Sequence, residues 1–434
     1  MKIAILGAGI VGITSAYMLA KRGHQVLLID KDEPGQGGSF ANGGQLSYNY
    51  STPIANPSVF TQLPKIILGL DPAFRVYPSL DLDFYRWGLK FLSACAPTQV
   101  ATSKKAMLAL GRHTKIELAE ILHTIGDELD FGFDYQGRAG KLNVYSDEAA
   151  LMQASKNNHC VLWDRAELIK KMPALKNNKN VVGGLWDQEE DSGDCYKLCQ
   201  SLVNYMQKNL KVELLSHHKI TAIHHDGEKI TSLSTDKSVN KSIDKTISEN
   251  DKHPKQSTEA ISINADAYVN CLGPQSTKLL KSINIHLPIY PMKGYSVTVP
   301  ATNDCPFVSI TDVKNRVVFC KLGDRLRVAG FAEFSGYSAT IKPERIESIL
   351  ASAKAFMPTI GDYDTVLDQW CGLRPATPDS LPVVGATQYE NLFINTGHGM
   401  LGWSHALATA TLLSNMIDKT PQPFAASFYS PKRF

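Results

Sequence analysis

Ile3-Ala4-Ile5-Leu6-Gly7-Ala8-Gly9-Ile10-Val11-Gly12 decides the fold of this chain. A β-type run meets three glycines spaced Gly-x-Gly-x-x-Gly. A helical pattern follows from Val11 to Arg22, and Gly23 stops it. A second β run, Val26-Leu27-Leu28-Ile29, then ends at Asp30. Strand, glycine turn, helix, strand and acid form one βαβ unit, the context in which this spacing reads as a dinucleotide site. Gly7 allows the tight turn, Gly9 lets backbone approach a pyrophosphate, and Gly12 lets helix pack on strand. The helix start offers free N–H groups and a positive dipole end to phosphates. Asp30, 18 residues after Gly12, would accept bonds from ribose hydroxyls and repel a 2′-phosphate. The expected contacts are Gly7, Ala8, Gly9, Ile10, Val11, Gly12, Asp30 and Lys31. FAD or NAD follows, not NADP, and this unit alone does not choose between them.

The first 20 residues could also be taken for a signal peptide or a marginal membrane span. The glycines and the strand after them argue against both. No uncharged run of 18 or more residues occurs elsewhere, so a soluble or peripheral protein is expected. The 434 residues suggest two or three folding units. Hydrophobic residues at 43% and charged residues at 20% exclude wholesale disorder and fibrous folds. A net charge of +3 without a basic block speaks against nucleic acid as a partner. Eight cysteines in a chain of this size form neither a dense disulfide framework nor a paired CxxC zinc pattern. They read as reduced thiols, with Cys195 and Cys199 on one helix face, and no metal is expected.

Three later segments bear on the cofactor. Ser39-Phe40-Ala41-Asn42-Gly43-Gly44-Gln45-Leu46-Ser47 is a small-residue loop that can run flat beside an extended cofactor. Tyr268-Val269-Asn270-Cys271-Leu272-Gly273 reads as a buried strand stopped by glycine. Asn391-Leu392-Phe393-Ile394-Asn395-Thr396 is another strand. It runs into Gly397-His398-Gly399-Met400-Leu401-Gly402-Trp403 and an apolar helix from Ala406 to Ile417. This second strand–glycine–helix turn could face the other end of a long cofactor.

These residues carry a resemblance. The chain resembles the bacterial D-amino acid dehydrogenase small-subunit family, within the FAD-dependent D-amino acid oxidase and glycine oxidase superfamily. The specific parts are Ser39 to Ser47, Tyr290-Pro291-Met292-Lys293-Gly294-Tyr295, Gly372-Leu373-Arg374-Pro375-Ala376-Thr377-Pro378-Asp379, and Asn395 to Trp403. The resemblance implies an α/β fold with non-covalent FAD in a discontinuous Rossmann-type domain, under an antiparallel-sheet substrate domain. Residues 1–55, 165–285 and 368–434 would form the first; residues 56–164 and 286–367 would form the second. Segment 235–259, with 10 charged residues in 25, is expected as an enlarged, mobile hairpin loop. The resemblance also carries over cofactor contacts from Ser39, Asn42, Gly43, Gly44, Gln45, Leu46, Ile220, Gly273, Gly372, His398, Gly399, Met400, Leu401 and Gly402. Gly273-Pro274-Gln275-Ser276 lacks the tryptophan that relatives often carry there, which bears on local packing.

The chemistry implied is oxidation of a D-amino acid to a 2-oxo acid and ammonia, by hydride transfer from Cα to flavin N5. Arg374 is the expected carboxylate anchor, because a guanidinium offers a planar fork to two oxygens. Tyr295 is the expected second donor, and Tyr48 and Tyr50 are candidate pocket walls. No protein acid or base is assigned, since the free amine form of the substrate loses hydride directly. The second arginine that glycine oxidases carry in the final Gly–His segment is absent, which favours the dehydrogenase branch. That branch implies a quinone or other electron-transfer partner and a cytoplasmic place, peripheral on the membrane. The apolar, partly basic run Leu82 to Leu92 could touch the bilayer. Two alternatives stay open: an oxygen-using oxidase of glycine, sarcosine or D-proline, and a non-catalytic subunit that holds FAD for a partner.

Overall fold

The computed structural model describes residues 1–71, 73–129, 132–137, 139–156, 159–237 and 261–434. The opening βαβ unit forms as read: strand Lys2–Leu6, helix Ile10–Lys21 and strand Gln25–Ile29. Strand Lys2–Leu6 sits in the middle of a six-stranded sheet. Ala267–Asn270 pairs with it on one side and Gln25–Ile29 on the other, both parallel. Leu392–Thr396 and Glu213–Leu215 extend the parallel set, and Val383–Ala386 closes one edge antiparallel. Parallel strands buried on both faces read as continuous apolar runs, and Ile3, Ile5, Val269 and Ile394 are fully buried.

Helices Ile10–Lys21, Cys195–Asn209 and Gly402–Asp418 pack into one core on this sheet, together with part of the long helix Pro97–Ile125. That last helix starts at Pro97, which fits the first helical position. On the other face, His218–His225, Ile230–Lys237 and Ile261–Ile263 form a small antiparallel sheet. Strand Ile230–Lys237 takes the first residues of the expected insertion into regular pairing. The rest of that insertion, 238–259, lies outside the described residues.

A second, nine-stranded sheet carries the other core. Its order runs from Asp368–Ala376 through Tyr290–Pro300, Arg325–Phe334, Val317–Leu322, Ser309–Asp312, Lys141–Tyr145 and Gly183–Asp187 to Val161–Asp164. The expectation of an antiparallel sheet needs correction. Ser309–Asp312 pairs with Lys141–Tyr145 in parallel, as does Phe74–Val76 with Arg325–Phe334. Those partners come from distant parts of the chain, so no hairpin constrains their direction. Sheet membership also cuts across the expected blocks: Gly183–Asp187 and Asp368–Ala376 belong to this sheet, although they fall within 165–285 and 368–434.

Helix Leu82–Ala94 is two-faced. Phe84, Trp87 and Phe91 pack with Tyr290 and Phe334, and the Trp87 indole N–H donates to the Ala376 carbonyl at 2.8 Å. Leu82, Tyr85 and Leu89 lie on the opposite face and are exposed. Phe60, Leu68, Leu70 and Leu80 are exposed nearby in sequence.

Candidate cofactor and substrate cavity

A large cavity collects residues from the ends of the parallel strands and from one face of the nine-stranded sheet. Gly7, Gly9, Ile10, Val11, Asp30 and Lys31 line it at the first βαβ unit. Gly7 is left-handed at φ +106°, and a Cβ on Gly12 would lie 1.8 Å from the Gly7 carbonyl oxygen. Gly12 therefore serves packing and is not on the wall, and neither is Ala8. The Ala8 N–H instead donates to Asp30 Oδ2 at 2.6 Å, which fixes the carboxylate under the turn. Asp30 Oδ1 accepts from the Asp32 N–H at 3.0 Å. Burial raises the Asp30 pKa above the usual carboxylate range. The helix Ile10–Lys21 has no side-chain cap and no acid in its first turn, leaving its positive end to the cavity.

The small-residue loop runs along the nine-stranded sheet. The Ser39 hydroxyl accepts the Ile10 N–H at 3.0 Å. Asn42 Oδ1 accepts the Gly44 N–H at 2.9 Å, and Arg327 donates to the Asn42 carbonyl at 3.2 Å. Gln45 donates to Ser309 and Thr311 on the sheet. Asn42, Gly43 and Gln45 line the cavity, whereas Gly44 and Leu46 do not. Leu46 is in the core, and Gly44 backs onto Cys320. Ile220, Gly273, Gly372, His398, Gly399, Met400, Leu401 and Gly402 are all on the wall.

The second glycine turn leads through a short 3-10 turn, Gly399–Leu401, into helix Gly402–Asp418, again with no side-chain cap and no first-turn acid. His398 lies beneath it. Thr409 donates its hydroxyl proton to the Ala406 carbonyl at 3.1 Å, so its oxygen accepts from His398 Nε2 at 3.0 Å. Burial, aided by the neighbouring His405, pushes the His398 pKa down to about 3. The ring is neutral at pH 7, and the positive end there is the helix terminus, not an imidazolium.

Arg374 is on the cavity wall, on strand Asp368–Ala376. One guanidinium nitrogen donates to the Phe331 carbonyl at 2.9 Å. Phe331 holds φ at +64° in mid-strand, a left-handed bend that a bulky residue rarely adopts. Among the described residues no acid pairs with Arg374. Desolvation alone lowers its pKa to about 10, so it stays charged near neutrality.

The three tyrosines separate. Tyr50 lines the cavity, with the Lys141 ammonium 5.4 Å from its ring centre. Tyr48 does not belong to the wall, contrary to expectation: it is in the core, its hydroxyl donating to Asp191 at 2.9 Å. Tyr48 lies in the turn after the short strand Gln45–Leu46, where its hydroxyl bond to Asp191 holds the ring in the core. Tyr295 lines the cavity, but its hydroxyl donates to Glu333 at 3.0 Å, and Glu333 also meets Arg345 at 2.7 Å. That hydroxyl is therefore committed to a buried carboxylate instead of being aimed at a ligand.

Sequence reasoning missed Lys141, Asn143, Tyr145, Thr311, Asp187 and Glu190, all on the wall. The alternation Lys141-Leu142-Asn143-Val144-Tyr145, with Leu142 and Val144 buried, was the available signal.

A parallel sheet with two open helix ends, joined to a second sheet that covers a common cavity, defines a flavin-dependent oxidoreductase of two-part design. The chain belongs to the DAO family of FAD dependent oxidoreductases, whose model matches residues 2–416. D-amino acid dehydrogenase 2 of Ralstonia nicotianae is 34% identical over 454 aligned positions, covering 100% of both chains. D-amino acid dehydrogenase of Vibrio cholerae is 34% identical, covering 98% of this chain and 97% of its own. Glycine oxidase from Geobacillus kaustophilus superposes with a TM-score of 0.73 at 17% identity, over 100% of this chain and 98% of that one. L-proline dehydrogenase from P. horikoshii does so at 0.71 and 18%, over 100% and 97%. The protein is an enzyme, and its cofactor is FAD. The residues fit that group. Two helix ends without a first-turn acid suit the pyrophosphate and the flavin's electron-rich edge, and Asp30 suits the ribose.

Proposed function

We propose that this enzyme oxidises D-amino acids to 2-oxo acids and ammonia with non-covalent FAD, and passes the electrons to a quinone or another acceptor in preference to oxygen. The observation that carries the amino acid reading is Arg374: a charged guanidinium on the cavity wall with no acid partner among the described residues. A buried cation without a counter-ion is costly, and a ligand carboxylate relieves that cost. The names of the full-length relatives support the D-configuration and the dehydrogenase reading.

Bound FAD supplies the hydride acceptor. Arg374 grips the substrate carboxylate with two parallel N–H donors and so fixes the direction of the Cα–H bond. The Phe331 carbonyl holds the guanidinium in place from behind. The start of helix Gly402–Asp418, without a first-turn acid, stabilises negative charge that develops beside it. Neutral His398 leaves this effect to backbone dipoles. The imino acid product takes up water and releases ammonia, which needs no assigned protein base.

The domain division read from sequence remains our proposal, with the sheet strands near 183–187 and 368–376 shared across the seam. Among the described residues no helix is long and apolar enough to cross a membrane. We place the acceptor side at helix Leu82–Ala94. Tyr85 and Leu89 are exposed there and also line the cavity, so a membrane-held quinone would meet the enzyme at this mouth.

The test is anaerobic flavin bleaching with a panel of D- and L-amino acids, glycine and proline, followed by mixing with air-saturated buffer or a soluble quinone. Bleaching by D-amino acids and faster reoxidation by quinone is the expected result. Faster reoxidation by oxygen would replace the dehydrogenase reading with the oxidase one. Absence of bleaching by every compound would point to a non-catalytic FAD-holding subunit.

A further inference from the structure

At the edge of the cavity away from Arg374, three side chains of different chemistry converge. One ligand atom each from His159, Cys160 and Asp187 lies within 4.8 Å of the others. His159 and Cys160 precede the edge strand Val161–Asp164, and Asp187 ends its neighbour Gly183–Asp187. Five strands separate the Asp187 strand from the Arg374 strand. Six spacings of about 4.8 Å put the two places on the order of 29 Å apart. One amino acid cannot touch both, so this cluster is not part of the substrate anchor.

We propose that His159, Cys160 and Asp187 bind a divalent ion of the zinc class, which ties the segment before strand Val161–Asp164 to strand Gly183–Asp187 and closes this end of the cavity wall. The donor set selects the metal. A thiolate, an imidazole and a carboxylate suit zinc, whereas calcium and magnesium prefer oxygen alone. Asp187 is already oriented: the Glu189 N–H donates to Oδ1 at 3.0 Å, and the Asn49 amide donates to Oδ2 at 3.1 Å. Such supporting bonds fix a ligand before the ion arrives. Glu190 lies outside this trio and is buried behind the loop that holds Asn49. It is 2% exposed and also lines the cavity, and its Oε1 accepts the Asn49 N–H at 2.7 Å. With its thiol deprotonated, Cys160 joins Asp187 in bringing two negative charges to a divalent ion. The proton leaves the thiol for solvent when the ion binds.

The experiment uses the thiol as its reporter. Of the eight cysteines, seven are buried and Cys160 is half-exposed, so it is the thiol that reagents reach in the folded protein. FAD-loaded, chelator-treated enzyme is alkylated with a maleimide, with and without zinc, and labelling at Cys160 is counted by peptide mass spectrometry. Zinc is expected to slow labelling by more than about tenfold, and equilibrium dialysis to find one zinc per chain that Cys160→Ser loses. Asp187→Asn and His159→Ala should each abolish most of the protection. Unchanged labelling in the presence of zinc would overturn the proposal. So would equal protection in His159→Ala, whose partly exposed side chain makes it the safer variant should Asp187→Asn fail to fold.

Discussion

A Cβ placed on Gly294 would lie 2.2 Å from a terminal guanidinium nitrogen of Arg374. Gly294 pairs with Gly372 across the two strands; the arginine folds back over the bare backbone of Gly294, while the Trp370 ring covers Gly372. The glycine is therefore a space requirement of the anchor. Gly294→Ala should displace the guanidinium and cost about 1.5–3 kcal/mol of substrate carboxylate binding, about ten- to hundredfold in kcat/KM. FAD content should stay near wild type. Steady-state kinetics with flavin absorbance as the control checks both.

Arg374→Lys should also raise KM sharply, since an ammonium lacks the fork. A pH profile separates the charge from the geometry. Desolvation brings the Arg374 pKa down to about 10, and only the charged form holds a carboxylate. Binding of a simple carboxylate inhibitor, read from flavin absorbance, should therefore be present below pH 10 and fade as pH rises through it. In Arg374→Lys the loss should begin at lower pH, because burial lowers an ammonium pKa from an already lower value. A profile flat to pH 11 in the wild type would move the anchor elsewhere.

Asp30 ties the cofactor turn to the second strand through the Ala8 N–H. Asp30→Ala should weaken FAD binding by about 1.5–3 kcal/mol, raising the dissociation constant about ten- to hundredfold. Free flavin after ultrafiltration, measured by fluorescence, reports it. Retention of FAD equal to wild type would show that the carboxylate does not contribute.

His405 is 1% exposed, with neither ring nitrogen hydrogen-bonded, and burial pushes its pKa down to about 3. The unfolded chain takes up this proton near pH 6.5. The stability involved is therefore fully present above pH 6.5 and is lost as pH falls toward 3. At pH 5 the loss is about 2 kcal/mol. His405→Leu should remove it: Tm at pH 7 holds or rises, and the fall in Tm between pH 7 and pH 5 becomes shallower. A scan of Tm against pH in both proteins decides. Parallel curves would remove His405 from the account.

The first βαβ unit was legible because its signals are local: period, glycine spacing and acid all lie within 30 residues. Arg374 was legible by resemblance to a short motif. Tyr48 was not, because the Asp191 carboxylate that takes its hydroxyl into the core lies far along the sequence. Tyr295 was expected as a second carboxylate donor; it lines the cavity, but Glu333 and Arg345, its partners here, are brought to it by strand pairing and by a helix on the far side of the sheet. The His159, Cys160 and Asp187 cluster is invisible in sequence for a similar reason, since it exists only where two strands come side by side.

Strand Lys2–Leu6 finds its second neighbour only when Ala267–Asn270 exists, and helix Ile10–Lys21 finds its main helical partner only when Gly402–Asp418 does. The ribosome therefore releases the first half of the cofactor cradle long before the second half has been made. Contacts this distant in sequence make for slow, late closure. The nascent chain exposes Ile3, Ile5 and Leu6 for most of its synthesis, a demand on chaperones that a contiguous nucleotide domain would not impose. The wall of the cofactor cavity is complete only once the last helix is in place, since Gly7 and Gly402 both line it.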